Sequence, residues 1–147
     1  MSLLPKILIV DANILFSFFK SGSERRRLIE ELPNLGCRLI SPEFVFRELL
    51  NNEDRIKKFG KINELAFKFL FSLLGLKIES ISESTYKEFL SEANKISPHP
   101  DSTKDDPYFA LSLAFNKCPI WSDEEAFKQQ SKVKVFDTKK LIEELKL

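Results

Sequence analysis

The chain has 147 residues, of which 43% are hydrophobic and 31% are charged. This length and composition predict one globular domain over residues 1–147, with enough apolar material for a sizeable core. A formal net charge of +1 gives no overall attraction to a polyanion or a membrane surface, so a nucleic-acid partner would need a local patch. No apolar run approaches the roughly 20 residues that a membrane span requires, and we expect no membrane partner.

The N-terminus and the cysteines indicate a cytoplasmic protein. Residues 1–5 lack the charged and apolar regions of a signal peptide. Cys37 and Cys118 have no CxxC spacing and adjoin apolar runs, which predicts buried thiols in a reducing compartment. A disulfide between them is the alternative.

The first predicted element is a strand made of four branched apolar residues, Ile7 to Val10. A run without polar alternation is typical of a strand buried on both faces of a parallel sheet. The strand ends at Asp11, and ligands of open α/β sheets bind at the carboxyl ends of strands. Asp11 is therefore either a functional acid or the N-cap of the next helix.

Helical and extended patterns then alternate along the chain. Helices are predicted over residues 13–19, 24–32, from 41 into 51–58, 62–74, 82–96, 108–116 and after Asp137; strands are predicted over 37–40, 76–81, 118–121 and 133–136. This alternation predicts a three-layer α/β/α sandwich with a parallel sheet of four to five strands and right-handed crossovers.

Local signals predict where several helices begin and end. They are Ser41-Pro42 and Asp106-Pro107 as helix starts, Ser122 with Glu125 as a capping box, and Gly75 as a helix stop.

Basic residues and the single histidine suggest little by themselves. Arg25, Arg26 and Arg27 form either a solvated helix face or a patch that contacts phosphates. His99 stands in a loop rich in proline and small polar residues, where we expect it to be exposed rather than catalytic.

Glu48 shares one side of its predicted helix with Phe44 and Val45. A carboxylate beside an apolar stripe needs a partner. Either Arg47 or Lys58 forms a salt bridge with it, or Glu48 is an acid of a metal site.

The acidic residues that flank predicted strands form one constellation if the first and fourth strands are neighbours. They are Asp11 after the first strand, Glu48 in the helix after the second, Asp105 and Asp106 before the buried helix, and Asp123 and Glu124 after the fourth strand. Crowded carboxylates repel each other, and a divalent cation removes that conflict. Oxygen ligands without histidine or cysteine favour Mg²⁺ or Mn²⁺.

Such a site is suited to metal-assisted hydrolysis of a phosphodiester. The chain has only four glycines and no glycine-rich phosphate loop, which disfavours a nucleotide-binding P-loop. Phosphotransfer through Asp11 as a nucleophile is also disfavoured, because many such sites carry a second Asp two residues on and position 13 is Asn.

Four segments together resemble the PIN-domain family of metal-dependent ribonucleases over essentially the full length. They are Ile9-Val10-Asp11-Ala12-Asn13, Phe44-Val45-Phe46-Arg47-Glu48-Leu49, Asp105-Asp106-Pro107-Tyr108-Phe109-Ala110-Leu111 and Ile120-Trp121-Ser122-Asp123-Glu124-Glu125-Ala126-Phe127. The resemblance implies a five-stranded parallel sheet and hydrolysis of single-stranded RNA with Mg²⁺ or Mn²⁺.

The resemblance also implies roles for individual residues. Asp11 corresponds to the metal ligand at the strand end and Glu48 to the second acid. Asp106 is preferred as the third acid, with Asp105 as the close alternative. Asn13 and Ser122 correspond to the polar residues that brace the acid cluster, and Asp105 is expected to brace it with them if Asp106 is the third acid.

The fourth acid departs from the family pattern of Thr or Ser, any residue, then Asp or Asn. Glu124 stands at that position and Asp123 one residue earlier. We therefore expect Asp11, Asp106 and Asp123 to bind the metal, and Asp11, Glu48, Asp106, Asp123 and Glu124 to form the catalytic set.

The resemblance implies RNA as the substrate and leaves the biological role open between a VapC-like toxin with an antitoxin partner and an RNA-processing enzyme. The Phe-rich helix over 62–74 is either core or the face of an expected homodimer. The altered fourth acid motivates an alternative, a catalytically weakened PIN-like module that binds RNA or a protein.

Overall fold

The computed structural model describes residues 4–98 and 103–145. Within them, five strands form one parallel sheet. The strands are β1 (Ile7–Val10), β2 (Arg38–Pro42), β3 (Ile78–Ile81), β4 (Ile120–Trp121) and β5 (Val135–Phe136). Their spatial order is β3-β2-β1-β4-β5, so the direction of winding reverses at β1. The carboxyl end of β1 lies at the switch point where α/β sheets bind ligands.

Helices cover both faces of this sheet, which confirms the predicted α/β/α sandwich. They are α1 (Ala12–Phe16), α2 (Glu24–Glu31), α3 (Glu43–Asn51), α4 (Glu53–Gly60), α5 (Glu64–Lys77), α6 (Glu83–Tyr86), α7 (Leu90–Ile96), α8 (Asp106–Ala114) and α9 (Thr138–Leu145). Short 3-10 turns cover 17–19, 32–35, 87–89 and 125–129. None of the helices in the described ranges is long and apolar enough to cross a membrane.

The core is built around β1, because this strand is covered on both faces. Leu8, Ile9 and Val10 have no exposed surface. Ile9 pairs in register with Ile40 of β2 on one side and with Ile120 of β4 on the other. The predicted first strand is confirmed, and the condition that it neighbours the fourth strand is met.

Ser41 does not cap a helix, which corrects the predicted start of α3. Ser41 lies at the end of β2 and its hydroxyl donates a hydrogen bond to the Val10 carbonyl at 2.9 Å. Pro42 is the N-cap residue and makes no side-chain capping bond. The serine thus ties the carboxyl ends of β1 and β2 together instead of closing a helix.

The last three strands are shorter than predicted, and three further helix predictions differ from the structure. Residues 53–60 form α4 rather than the end of α3. Gly75 lies inside α5, which continues to Lys77, because its packing outweighs the low helix propensity of one glycine. The helix predicted over 82–96 is interrupted by a 3-10 turn at 87–89.

Two capping predictions are also wrong. The Ser122 hydroxyl accepts a hydrogen bond from the Glu124 amide at 3.1 Å, and the turn that follows is a 3-10 helix, so Glu125 closes no capping box. Asp105, not Asp106, is the N-cap residue of α8.

The two cysteines are free and buried, as predicted, and form no disulfide. The prediction for His99 and the interpretation of the first three residues lie outside the described residues.

Candidate metal-binding active site

A cavity of about 840 Å³ opens beside the carboxyl ends of the central strands. Four carboxylates line it: Asp11, Glu48, Asp105 and Glu124. They come from the end of β1, from α3, from the start of α8 and from the segment after β4. The fold therefore gathers acids that are spread over more than a hundred residues of sequence.

Asp11 is the N-cap of α1, and only one of its two carboxylate oxygens takes part in the cap. Its Oδ1 accepts a hydrogen bond from the Ile14 amide at 2.9 Å and so caps α1. Its Oδ2 is buried and accepts no hydrogen bond from any residue that the structure describes. One oxygen thus closes the helix, while the other is left as an unpaired acceptor that a cation would satisfy.

The environment of Asp11 disfavours its charge. Burial raises the pKa of the carboxyl from 3.8 to about 6, and the charges of Glu124 and Asp123 add to the rise. The Ser122 hydroxyl and the Ile14 amide oppose it. A buried acid with a raised pKa beside other acids is typical of a cation or catalytic site.

Tyr108 lines the cavity, although the apolar pattern of its helix predicts only a buried position. Its hydroxyl accepts a hydrogen bond from the Ala12 amide at 3.2 Å. Burial, together with the charge of Asp11, raises the pKa of the phenol far above its ordinary value. The ring therefore stays neutral beside the carboxylates. A tyrosine in an almost wholly apolar helix was the available signal, since a buried phenol needs a polar partner.

Glu48 lies on α3 with an exposed side chain that lines the cavity. Neither predicted salt-bridge partner holds it: Arg47 pairs with Glu43 at 3.2 Å, and no Lys58–Glu48 ion pair is found in the described ranges. The salt-bridge interpretation of Glu48 is therefore wrong for this structure, and the carboxylate faces the cavity.

Asp105 and Asp106 are both buried, but only one of them lines the cavity. Asp105 lines the cavity. Asp106 is not among the lining residues. Its Oδ2 accepts a hydrogen bond from the Asn94 amide group at 2.9 Å, and its Oδ1 is buried and accepts none from the residues that the structure describes. Adjacent residues of a helix project about 100° apart, which accounts for the different surroundings of the two acids.

Asp123 and Glu124 differ in the same respect, since only Glu124 lines the cavity. Asp123 forms a salt bridge with Arg25 at 2.7 Å and accepts two hydrogen bonds from Thr138, each 2.6 Å long. Burial alone would raise its pKa, but the bonds from Thr138 and Arg25 outweigh burial and hold it below its ordinary value. Glu124 is exposed and lines the cavity.

Asn13 and Ser122 flank the acids. Asn13 is exposed and lines the cavity. Ser122 has no exposed surface. Its hydroxyl accepts a hydrogen bond from the Glu124 amide and also favours the charged form of the Asp11 carboxyl. Their bracing role stays a prediction.

The arginine run on α2 is neutralised by carboxylates. Arg25 pairs with Asp123, Arg26 with Glu30 at 3.2 Å, and Arg27 with Glu31 at 3.9 Å. This arrangement gives no support to a phosphate-binding patch on α2.

The donor chemistry of the cavity fits a hard divalent cation, because its acids offer only oxygen ligands and Asp11 Oδ2 is unsatisfied. The spacing is open: across residues 4–98 and 103–145, no three side chains of His, Cys, Asp or Glu lie close enough to hold a metal ion. Glu48 and Glu124 have exposed side chains, and rotation of these would be needed to close a coordination sphere.

Comparison with known proteins gives the family. A search of curated proteins gave no match. Among solved structures, the chain is similar to one in the crystal structure of VapBC2 from Rickettsia felis bound to a DNA fragment from their promoter, with a TM-score of 0.66 and 13% identity over 89% of this chain and 98% of that one. At that identity the likeness shows the fold. A family model for the PIN domain matches residues 9–146, and the chain therefore belongs to the PIN-domain family.

Proposed function

We propose that this protein is a metal-dependent endoribonuclease that hydrolyses phosphodiester bonds of single-stranded RNA. The observation that carries the proposal is the acid-lined cavity at the switch point, where Asp11 presents a buried oxygen without a hydrogen-bond partner. Membership of the PIN-domain family, whose members are generally nucleases, supports the same reaction class.

Asp11, Glu48, Asp105 and Glu124 are the proposed acids for Mg²⁺ or Mn²⁺. Asp105 is preferred to Asp106, and Glu124 to Asp123, because the preferred member of each pair lines the cavity. A bound ion would activate a water molecule and stabilise the charge on the leaving oxygen.

The other residues of the chain would prepare this site. Tyr108 keeps its proton and fixes the backbone after Asp11 through the Ala12 amide. The amide of Ile14 orients the Asp11 carboxylate, so that Oδ2 is left for a ligand. Binding of an ion would lower the pKa of Asp11 and so keep it charged at lower pH, since a carboxylate must be charged to coordinate.

Calorimetric titration with Mn²⁺ tests the site without knowledge of the substrate. The wild type should bind, and Asp11→Asn should not, because the substitution keeps the shape and the helix cap but removes the charge. Cleavage of single-stranded RNA should then require Mg²⁺ or Mn²⁺ and stop with a chelator. Cleavage by a purified, folded Asp11→Asn protein would contradict the proposal.

The alternative is a PIN-like module with weakened catalysis that binds RNA or a protein partner. The open spacing of the acids and the salt bridge of Asp123 favour it. Failure of the folded wild type to bind Mn²⁺, both alone and with RNA present, would replace the nuclease proposal with this one.

A VapC-like toxin with an antitoxin partner is the proposed biological setting, since the similar structure is a VapBC2 complex. An RNA-processing role is the competing one. Induced expression that arrests growth, with relief by a protein encoded beside it, would favour the toxin. The single domain over residues 1–147 and the cytoplasmic location also remain predictions.

The expected homodimer is a further proposal. Helix α5 exposes Leu65, Phe69 and Leu76, with 78%, 66% and 82% of their surfaces accessible. These positions share one helix face. Light scattering should give twice the monomer mass for the wild type and the monomer mass for Phe69→Glu.

A further inference from the structure

The rim of the acid-lined cavity carries an aromatic pair with a cation on each member. The rings of Phe16 and Phe59 meet edge to face with 5.4 Å between centroids. The Arg55 guanidinium lies 5.7 Å from the Phe16 ring centre, and the Lys20 ammonium lies 5.4 Å from that of Phe59. We name these four residues the aromatic–cationic rim.

The rim is continuous with the proposed active site. Phe16 and Arg55 themselves line the cavity that contains the four carboxylates. Phe59 lies on the same face of α4 as Arg55, one turn further along, and Lys20 follows the 3-10 turn after α1. The row therefore leads outward from the acids to the surface.

The charges of the rim are available to a ligand. In the described ranges, Arg55 and Lys20 form no ion pair with a carboxylate, whereas the arginines of α2 all do. The four carboxylates of the cavity would repel an RNA backbone, and the whole chain carries a net charge of only +1. Cations beside the cavity are what a polyanion would need to approach it.

The exposed aromatic ring is held in place by close backbone packing. Phe59 is 43% exposed despite its size. The next residue, Gly60, lies so close to the turn after α1 that a Cβ would be 2.4 Å from the Phe19 carbonyl oxygen. This approach sets the end of α4, and with it the backbone of Phe59, against the turn that follows Phe16.

We propose that the aromatic–cationic rim binds the single-stranded RNA segment next to the phosphate that is cleaved. One unpaired base stacks on Phe59, and Arg55 and Lys20 contact flanking phosphates. Stacking tolerates any base and requires that the base be unpaired. The inference rests on the proposed function and adds to it a determinant of single-strand selectivity.

Fluorescence anisotropy with a labelled ten-nucleotide uridine RNA tests the rim in chelator, where no metal-dependent cleavage occurs. Phe59→Leu should weaken binding roughly tenfold, whereas Phe59→Trp should retain it. Arg55→Gln should weaken binding and reduce the slope of log affinity against log salt by about one. Arg27→Gln, an exposed arginine on α2, is the matched control and should bind like the wild type.

The outcomes separate this inference from the proposed function. The proposed role of the rim would be wrong if the wild type binds and cleaves RNA while Phe59→Leu and Arg55→Gln bind RNA as tightly as Arg27→Gln. The proposed nuclease function would be unaffected by that result. Equal binding of a blunt duplex by the wild type would also overturn the proposed role of the rim. A wild type that neither binds nor cleaves RNA would overturn both. Thermal melting of each variant confirms that it is folded.

Discussion

Arg25 and Asp123, 98 residues apart in sequence, are joined by a salt bridge of 2.7 Å between Nη2 and Oδ2. Arg25 also donates to the Ser17 hydroxyl at 2.7 Å, and Asp123 accepts from the amide and hydroxyl of Thr138 at the start of α9. The ion pair thus connects α2, the end of α1 and α9. Its consequence for function is that Asp123 is held outside the cavity while its neighbour Glu124 lines it.

Because Asp123 lies in the salt bridge and Glu124 lines the cavity, substitutions at these two positions should have opposite effects. Asp123→Asn should lower the free energy of unfolding by about 1–2 kcal/mol, because it weakens charge-assisted hydrogen bonds at a partly exposed site. Its affinity for Mn²⁺ should stay near that of the wild type. Glu124→Gln should leave stability nearly unchanged and weaken Mn²⁺ binding.

Urea unfolding and Mn²⁺ calorimetry on both variants measure these effects. The assignment would be reversed if Asp123→Asn lost the metal and Glu124→Gln kept it. In that case Arg25 would have to release Asp123 when the ion binds.

Asp105 and Asp106 are both buried, but only Asp105 lines the cavity, so substitutions of the two should have different effects. Asp105→Asn should reduce Mn²⁺ affinity at least tenfold, because it removes a carboxylate from the cavity wall. Asp106→Asn should instead lower the melting temperature, since Asp106 accepts a partly buried hydrogen bond from Asn94. The same two measurements apply, and a loss of metal affinity only in Asp106→Asn would restore the family-based assignment.

The raised pKa of Asp11 predicts that the ion-free protein is destabilised by the buried charge of this carboxylate. The folded protein binds this proton more tightly than the unfolded chain, since the pKa rises from 3.8 to about 6 on folding. The contribution of the Asp11 carboxyl to the free energy of unfolding is therefore largest at low pH. It falls as the pH rises from about 4 to about 6, and it does not change further above that range. The full difference is roughly 3 kcal/mol.

Asp11→Asn should accordingly raise the free energy of unfolding at pH 7.5 in chelator, by an amount that disappears towards pH 4. Asparagine retains an oxygen for the Ile14 amide, so the helix cap is kept. Urea titrations at several pH values measure the difference. Asp123→Asn is the control with the opposite sign, because folding lowers the pKa of Asp123; a wild type as stable as Asp11→Asn at pH 7.5 would refute the prediction.

Gly60→Ala should destabilise the protein by about 1–3 kcal/mol, a cost typical of forcing extra atoms into a packed site. The added Cβ would meet the Phe19 carbonyl oxygen at 2.4 Å, and backbone atoms cannot rotate away. Gly75→Ala is the matched control: it lies in α5 with open space around its Cβ position and should be neutral or stabilising. Equal melting temperatures for the two variants would contradict the packing of α4 against the turn.

Much of the fold could be predicted because its signals are local. The unbroken apolar run of Ile7 to Val10 is a property of four consecutive residues, and it forms the fully covered central strand. Helix ends were less predictable, since Ser41 and Gly75 carry local signals that tertiary contacts override. Ser41 finds the Val10 carbonyl of the neighbouring strand, and Gly75 is held inside a packed helix.

The cavity was predictable only in outline. The sequence placed acids after the first and fourth strands, and the parallel sheet brings Asp11 and Glu124 to one cavity. The hydrogen bond of the Tyr108 hydroxyl and the aromatic–cationic rim could not be predicted, because their contacts join residues that are far apart in the chain.

The sequence by itself determined the alternation of strands and helices, the buried first strand and the position of Asp11 at its carboxyl end. Only the tertiary structure decided which acid of each adjacent pair faces the cavity. The reason is that neighbouring side chains diverge in direction, and the partners that select the direction come from distant elements: Asn94 holds Asp106, while Arg25 and Thr138 hold Asp123. The type and spacing of residues along the chain do not show which distant side chains will meet, because those contacts form only when the chain folds.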